Sequence, residues 1–227
     1  MNSLLYVVLG SVGSGRAALV GSWLEENSRV LVHVDEKEKA VEGGIDPAKI
    51  VPWKWIGEGT IGIGGEIPVG AELFFISNGK ESQVDVVEGI HSWIQGKPLT
   101  LARIMTVVNC TLLASHEKLF IWYDACIYFS DVVLLACREG VTNKWVQEYK
   151  ELYAEKNYPC HFRFVKKGKV DHPAEVLVPE ARRISLAFED PEDRYDEEGN
   201  LLEEEYFLRD QAGRRVKWVP DIQDFLG

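Results

Sequence analysis

Short apolar runs alternate along this chain with amphipathic segments, as far as about residue 165. Apolar runs of about four to eight residues predict buried strands, whereas apolar positions spaced by three and four predict helices. The predicted strands cover 5–9, 29–34, 72–77, 102–109, 132–136 and 161–165. The predicted helices begin near residue 16 and cover 84–94, 116–128 and 141–153. This alternation is typical of an α/β protein, a three-layer α/β/α fold with a mostly parallel sheet.

Two segments depart from this alternation. Residues 43–70 are rich in glycine and carry Trp53 and Trp55 on a predicted short strand. Residues 188–227 are acidic, and turn signals at 196–200 and 210–213 separate alternating segments there. This pattern predicts an acidic connector and a β-hairpin tail, following a domain at 1–187. We expect the acidic run to be a solvated surface.

A glycine-rich turn directly follows the first predicted strand. Four residues separate Gly10 from Gly15, which is the spacing of the phosphate-binding motif GxxxxGK[ST]. Glycines at these positions let backbone N–H groups surround a phosphate at the start of a helix. The candidate phosphate-binding residues are therefore Gly10, Ser11, Gly13, Ser14, Gly15, Arg16 and Ala17.

The two side chains that complete this motif are changed. Arg16 stands where the lysine belongs, and Ala17 stands where the magnesium-binding hydroxyl belongs. A guanidinium holds phosphate oxygens well, so Arg16 could replace the lysine. Alternatively, Arg16 is a solvated residue of the first helical turn, and the glycines serve only a tight turn.

Composition narrows the range of partners. A net charge of −11 and a pI of about 5.0 argue against nucleic acid and anionic membranes as partners. No apolar run approaches the ~18 residues that span a bilayer, and residues 1–9 lack the basic start of a signal peptide. The four cysteines are widely spaced and three of them lie in apolar surroundings, which predicts buried, reduced thiols. No pair has CxxC spacing, so the cysteines by themselves do not indicate a metal site. We expect a cytoplasmic protein.

Further landmarks follow the glycine-rich turn in a fixed order. They are Val34-Asp35-Glu36, Gly44-Ile45-Asp46, Gly59-Thr60-Ile61-Gly62-Ile63, Ile76-Ser77-Asn78-Gly79, Val107-Val108-Asn109, Phe129 to Leu135 and Lys167-Gly168. In this order they resemble the P-loop GTPase domain of the CobW-like family of metal chaperones and cofactor-insertion proteins. The resemblance covers about residues 4–180, and only the short tail stands in place of the family's C-terminal domain.

The resemblance implies a set of binding residues. Asp35 and Glu36 correspond to a switch segment and are possible magnesium ligands. Glu139 and Lys167 correspond to the base-contacting motif and to the last nucleotide-contacting loop, so they are possible base contacts. Asp35 and Glu36 also have a simpler interpretation as a charged strand end in solvent.

The chain departs from the family where its chemistry lies. Thr60, Gly62 and Ile63 replace the three cysteines of the metal motif, so no zinc site is expected. Ala136 and Cys137 replace the asparagine and lysine that specify guanine. Ile76, Asn109 and Ala17 remove three groups expected around a magnesium ion, so magnesium binding should be weak or absent.

These observations predict a degenerate relative that binds GTP or another nucleotide and has lost hydrolysis. Two alternatives remain open. One is an interaction module without nucleotide, which would contact a protein partner through its tryptophans and acidic tail. The other is a Rossmann-type dinucleotide binder with Asp35 on the ribose, although the glycine order is not G-x-G-x-x-G.

Overall fold

The computed structural model describes residues 2–24, 30–37, 44–196 and 198–226. These described residues form nine strands: β1 (Ser3–Gly10), β2 (Val30–Asp35), β3 (Ile50–Gly57), β4 (Thr60–Ile63), β5 (Glu72–Ile76), β6 (Leu99–Asn109), β7 (Val132–Ala136), β8 (His161–Lys166) and β9 (Lys169–Val170). Six α-helices accompany them: α1 (Arg16–Gly21), α2 (Gln83–Ile94), α3 (Cys110–Ser115), α4 (Leu119–Tyr128), α5 (Asn143–Glu155) and α6 (Pro173–Leu177). Short 3₁₀ turns cover Pro47–Lys49, Pro191–Arg194 and Ile222–Phe225.

The strands form one sheet in the order β4-β3-β2-β5-β1-β6-β7-β8-β9. From β3 to β8 in this order, every pair of neighbouring strands is parallel. The two edge strands, β4 and β9, run antiparallel to their neighbours β3 and β8. The first strand of the chain is therefore central, between β5 and β6. The predicted mostly parallel α/β sheet is confirmed.

Alternate residues of the central strands separate the core into two layers. Leu5, Val7 and Leu9 pack with α2, α4 and α5 on one face of the sheet. Tyr6 and Val8 pack with α1 and α6 on the other face. Burial on both faces explains why these strands read as continuous apolar runs in the sequence.

Two differences between the predicted and the observed elements concern the glycine-rich segment and the region after β6. The glycine-rich segment forms an antiparallel pair, β3 and β4, which lies at the sheet edge. The helix predicted over 116–128 corresponds to α4, and an additional helix, α3, precedes it and begins at Cys110. The cause is Asn109, whose Oδ1 accepts the backbone N–H of Leu112 at 3.1 Å and so starts a helix early.

The tail lies against the rest of the chain. One isolated antiparallel bridge flanks each predicted turn, Tyr195 with Leu201 around 196–200 and Arg209 with Arg215 around 210–213, and residue 197 of the first turn lies outside the described residues. Among the described residues, the predicted β-hairpin is limited to these two bridges. Tyr206 is buried in the core layer that contains α2 and α4.

Two further sequence expectations concern cysteines and membranes. All four cysteines are unpaired, and three of them are buried, with Cys137 half-buried. Burial raises the pKa of Cys110 and of Cys160 to about 12, so both are neutral thiols. In the part of the chain that the structure describes, no helix has the length and apolar character needed to span a bilayer.

Candidate functional site

The glycine loop, residues Gly10–Ala17, joins the carboxyl end of β1 to α1. Gly10, Gly13 and Gly15 adopt φ angles of 142°, 73° and 85°, a region that L side chains rarely enter. A Cβ on Gly10 would lie 2.5 Å from the carbonyl oxygen of Val107 on β6. Glycine is therefore required at Gly10 by its contact with the neighbouring strand.

The glycine loop presents several free hydrogen-bond donors. Among the described residues, no atom accepts a hydrogen bond from the backbone N–H groups of Gly13, Gly15, Ala17 or Ala18. The hydroxyl of Ser14 is also without a partner, although the residue is only 1% exposed. A buried polar group without a partner carries a free-energy cost that a ligand or a water molecule would relieve. The loop thus has the donors for an anion.

Arg16 is directed into the protein. It is 6% exposed, and its guanidinium donates to the carbonyl and to the hydroxyl of Ser77 at the end of β5. Gly79 lies directly over this contact, since a Cβ there would fall 2.5 Å from Arg16 Nη2 and 2.4 Å from the nitrogen of Val12. Of the two interpretations of Arg16, the one that places it in solvent is therefore wrong.

A glutamine connects the same two loops. Gln83 at the start of α2 accepts from the Ser77 hydroxyl and, at 3.4 Å, from the backbone N–H of Gly10. Its Nε2 donates to the carbonyl of Asn78 at 2.8 Å. The segment between β5 and α2 is thus attached to the glycine loop by buried hydrogen bonds.

A tyrosine connects the glycine loop to the end of β6. The hydroxyl of Tyr123 lies 2.9 Å from Ser11 Oγ and accepts the backbone N–H of Asn109 at 3.0 Å. Tyr123 lies in the centre of the apolar helix α4 and is fully buried, and burial raises its pKa. A buried phenol needs a polar partner, so this tyrosine in an apolar helix was a signal available in the sequence.

The two candidate magnesium ligands have other partners. Asp35 is 3% exposed, and its carboxylate accepts from Asn78 Nδ2 and from the backbone N–H of Lys37, each at 2.8 Å. Glu36 is exposed and lies 3.5 Å from Lys54 Nζ. The described residues contain no group of three His, Cys, Asp or Glu side chains placed to hold a metal ion.

The candidate base contacts follow β7 and β8. Cys137 adopts a φ of 47°, and its thiol lies 3.5 Å from the carbonyl oxygen of Gly13 in the glycine loop. Glu139 is exposed two residues further on. Lys167 is exposed in the β8–β9 turn, whose Gly168 packs near Ala18 of α1. The structure therefore brings both turns to the carboxyl edge of the sheet, beside the glycine loop.

The segment that resembles the metal motif is packed as a strand. Thr60–Ile63 forms β4, in which Ile61 is 3% exposed. The side chains of Ile61 and Trp55 lie against Gly89 of α2, where a Cβ would fall within 3.0 Å of both. This strand holds α2 against the sheet edge.

A cavity lies away from the glycine loop. It has a volume of about 810 Å³ and separates the start of α2 and the β3–β4 turn from the tail. Trp55 and Trp218 line it, and Trp218 is 63% exposed. Arg215 from the tail pairs with Asp85 and Glu88 of α2 beside this cavity.

Comparisons with known proteins give two similar solved structures. The Zn(II)-bound YjiA GTPase from E. coli matches with a TM-score of 0.54 and 14% identity, over 79% of this chain and 62% of that chain. A Zn(II)-bound triple mutant of the YjiA GTPase matches with a TM-score of 0.46 and 12% identity, over 83% of this chain and 68% of that chain. No family model and no curated protein matches the sequence.

The chain spans 62% of the length of the first of these neighbours, and the likeness concerns the fold alone. A mostly parallel sheet with helices on both faces carries the glycine loop at the carboxyl end of its central strand. This chain therefore has the α/β fold of a P-loop GTPase.

Proposed function

We propose that this chain binds the phosphates of a nucleotide, GTP or another, at the glycine loop, and does not hydrolyse them. The observation that carries the proposal is the set of free donors in that loop. Its N–H groups at Gly13, Gly15 and Ala17 and the buried hydroxyl of Ser14 lack partners among the described residues. Backbone N–H groups in such a loop favour an anion.

The charge of Arg16 supports the same function. The guanidinium donates to Ser77, and it lies buried directly beneath the loop. A charge in a site with little water acts over several ångströms, because it is only weakly screened. Arg16 thus favours a bound phosphate electrostatically while it fixes the position of the loop.

The residues around the loop do not fit a magnesium ion. A hard cation needs several oxygen ligands, and Ala17 supplies a methyl group where a hydroxyl is required. Ile76 at the end of β5 is apolar, and the carboxylate of Asp35 already accepts two hydrogen bonds. Without a placed metal, phosphoryl transfer lacks its main source of charge neutralisation, so the proposed function is binding alone.

The same reasoning extends to the family resemblance. We propose a degenerate CobW-like protein without the cysteine metal site, since β4 offers Thr60, Gly62 and Ile63 in place of thiolates. Soft thiolate ligands are what a structural zinc ion requires. The fold likeness to a GTPase supports the shared scaffold, and the lack of thiolates on β4 supports the loss of the metal site.

The test is direct measurement of bound and added nucleotide. The purified protein is denatured and its supernatant chromatographed, and the native protein is titrated with GTP and ATP in excess EDTA. Gly15→Val is expected to abolish binding, because it forces a branched side chain onto a φ of 85° inside the loop. Gly96→Val is the matched control, since Gly96 has a φ of 70° in equally open space after α2. Equal binding by both variants would refute the proposal.

A second function is favoured by the exposed Trp218. A large aromatic side chain that is 63% exposed beside a cavity of about 810 Å³ is typical of a contact with another protein. This interaction module needs no nucleotide. If Gly15→Val leaves the cellular partners of the protein unchanged while Trp218→Ala removes them, the interaction function is favoured over nucleotide binding.

A further inference from the structure

Asn109 ends β6 beside the glycine loop, with its side chain half-exposed. Its Nδ2 lies 3.9 Å from the position that a Cβ on Gly13 would take. In the sequence this residue signals only a lost negative charge. In the structure its amide nitrogen is a neighbour of the loop that carries the free donors.

The orientation of this amide is determined by two hydrogen bonds. The side-chain Oδ1 accepts the backbone N–H of Leu112 at 3.1 Å, because Asn109 caps α3. The backbone N–H of Asn109 donates to Tyr123, whose hydroxyl also contacts Ser11 of the loop. With the oxygen held by α3, the nitrogen is directed at the loop. Among the described residues, none accepts a hydrogen bond from Asn109 Nδ2.

A second, independent observation points to a ligand at the same place. Ser14 is only 1% exposed, yet its hydroxyl has no hydrogen-bond partner among the described residues. Its Oγ lies 3.1 Å from the position of a Cβ on Gly10, and so inside the curve of the loop. An unpartnered buried hydroxyl and an unpartnered amide at the same loop indicate that an acceptor belongs there.

We propose that the side-chain amide of Asn109 donates a hydrogen bond directly to a nucleotide phosphate held in the glycine loop, so that the phosphate binds without a metal ion. This inference rests on the proposed nucleotide binding and adds the group that replaces the metal. A carboxylate at this position would repel a phosphate unless a cation stood between them. An amide can contact the phosphate directly, because its nitrogen is a donor.

The experiment replaces the hydrogen-bond donor of Asn109 by an acceptor and keeps the oxygen that caps α3. Asn109→Asp keeps an oxygen that accepts from Leu112, and aspartate is as good an N-cap as asparagine. It replaces the donor by a negatively charged acceptor facing the loop. Asn109→Ser also keeps a capping oxygen and adds no charge, but it removes the amide nitrogen, and its shorter hydroxyl does not reach as far toward the loop. Asn157→Asp is the matched control, since Asn157 follows α5 and lies toward the opposite end of the sheet.

Each protein is titrated with GTP, and with inorganic triphosphate, in excess EDTA and then in excess Mg²⁺. In EDTA we expect Asn109→Asp to weaken binding of both probes by about a hundredfold and Asn109→Ser by about tenfold. These factors follow from the loss of one hydrogen bond to a charged group, with added repulsion in the aspartate. Mg²⁺ should partly restore binding by Asn109→Asp alone, and Asn157→Asp should bind as the wild type does. The amide of Leu112 should remain protected from hydrogen exchange in both variants.

The outcomes separate this inference from the proposed function. If the wild type binds the probes and Asn109→Asp binds them equally well in EDTA, nucleotide binding stands and the role of Asn109 is refuted. If the wild type binds neither probe, both proposals are refuted. If the variants lose the protection of Leu112 but keep their affinity, Asn109 is only a helix cap.

Discussion

The guanidinium of Arg16 donates to both the carbonyl and the hydroxyl of Ser77, with 3.2 Å between Nη1 and Oγ. An arginine in the first turn of a helix, at the position of a phosphate-binding lysine, is thus used to join two loops. The contact is almost completely buried, so its hydrogen bonds are worth more than those of a surface arginine.

We expect Arg16→Met to lower the free energy of unfolding by about 1–3 kcal/mol, because it leaves the Ser77 carbonyl without its donor. Urea unfolding followed by tryptophan fluorescence measures this change. Arg214→Met is the control, since Arg214 is 81% exposed in its pair with Asp210 and should change stability by less than about 0.5 kcal/mol. Equal effects of the two substitutions would contradict a structural role for Arg16.

Protein stability should depend on pH through His33. This residue is 3% exposed beside Trp93, and burial lowers its pKa to about 4 from an ordinary value near 6.5. Because the unfolded chain binds the proton more tightly, the stabilisation is complete above about pH 6.5 and is lost progressively as the pH falls toward 4. The expected loss is about 3 kcal/mol.

The measurement is urea unfolding at a series of pH values between about 7 and 4. His33→Phe keeps an aromatic ring in the core and should flatten this part of the stability profile. His116→Phe is the control, since His116 is exposed near Phe225. A profile that is equally steep in His33→Phe would show that other groups cause the pH dependence.

Nucleotide binding should discriminate poorly between guanine and adenine. Cys137 contacts the carbonyl of Gly13, and neither it nor Ala136 supplies the donors of the guanine motif. Sites that hydrogen-bond a base edge reject the wrong base because buried polar groups are left unpaired. Competition titrations of GTP and ATP are expected to differ by less than about a hundredfold, or ~2.7 kcal/mol. A larger preference that Glu139→Ala removes would identify Glu139 as a specific base contact.

Hydrolysis should be negligible. Ala17, Ile76 and Asn109 together leave no group that places a magnesium ion between the terminal phosphates. Phosphate release from GTP and from ATP, followed over hours with Mg²⁺, should match the rate in buffer alone. Turnover that Gly15→Val abolishes would show that other residues coordinate the metal, and Asp35 and Glu36 would be the first to examine.

Zinc should not bind stoichiometrically at β4. Thr60, Gly62 and Ile63 carry no thiolates that could bind zinc. Ile61 between them is buried against α2. Titration with Zn²⁺ in competition with a chromophoric chelator measures this directly. A tight site whose affinity drops in Thr60→Ala would overturn the prediction.

The sequence alone was sufficient for the class of fold. Strands buried on both faces must be apolar throughout, so β1, β5 and β7 are visible as runs, and α2 and α5 as periodic segments. The spacing of Gly10 and Gly15 likewise located the glycine loop, for a reason that lies in the backbone. Positive φ angles and a close approach to Val107 leave glycine as the only residue that fits.

Only the tertiary structure decided where the polar side chains of the site point. From the sequence, Arg16 is only a replacement for a lysine and Asn109 only a replacement for an acidic residue. A motif gives the spacing of residues along the chain, but it does not show which distant residues they contact. Their directions depend on Ser77 from β5 and on Tyr123 from α4, which lie 61 and 14 residues away. Contacts between distant segments follow from the sheet order, which no local pattern contains. The sequence therefore determined the scaffold, and packing between β1, β5 and β6 determined which donors of the glycine loop remain without a partner among the described residues.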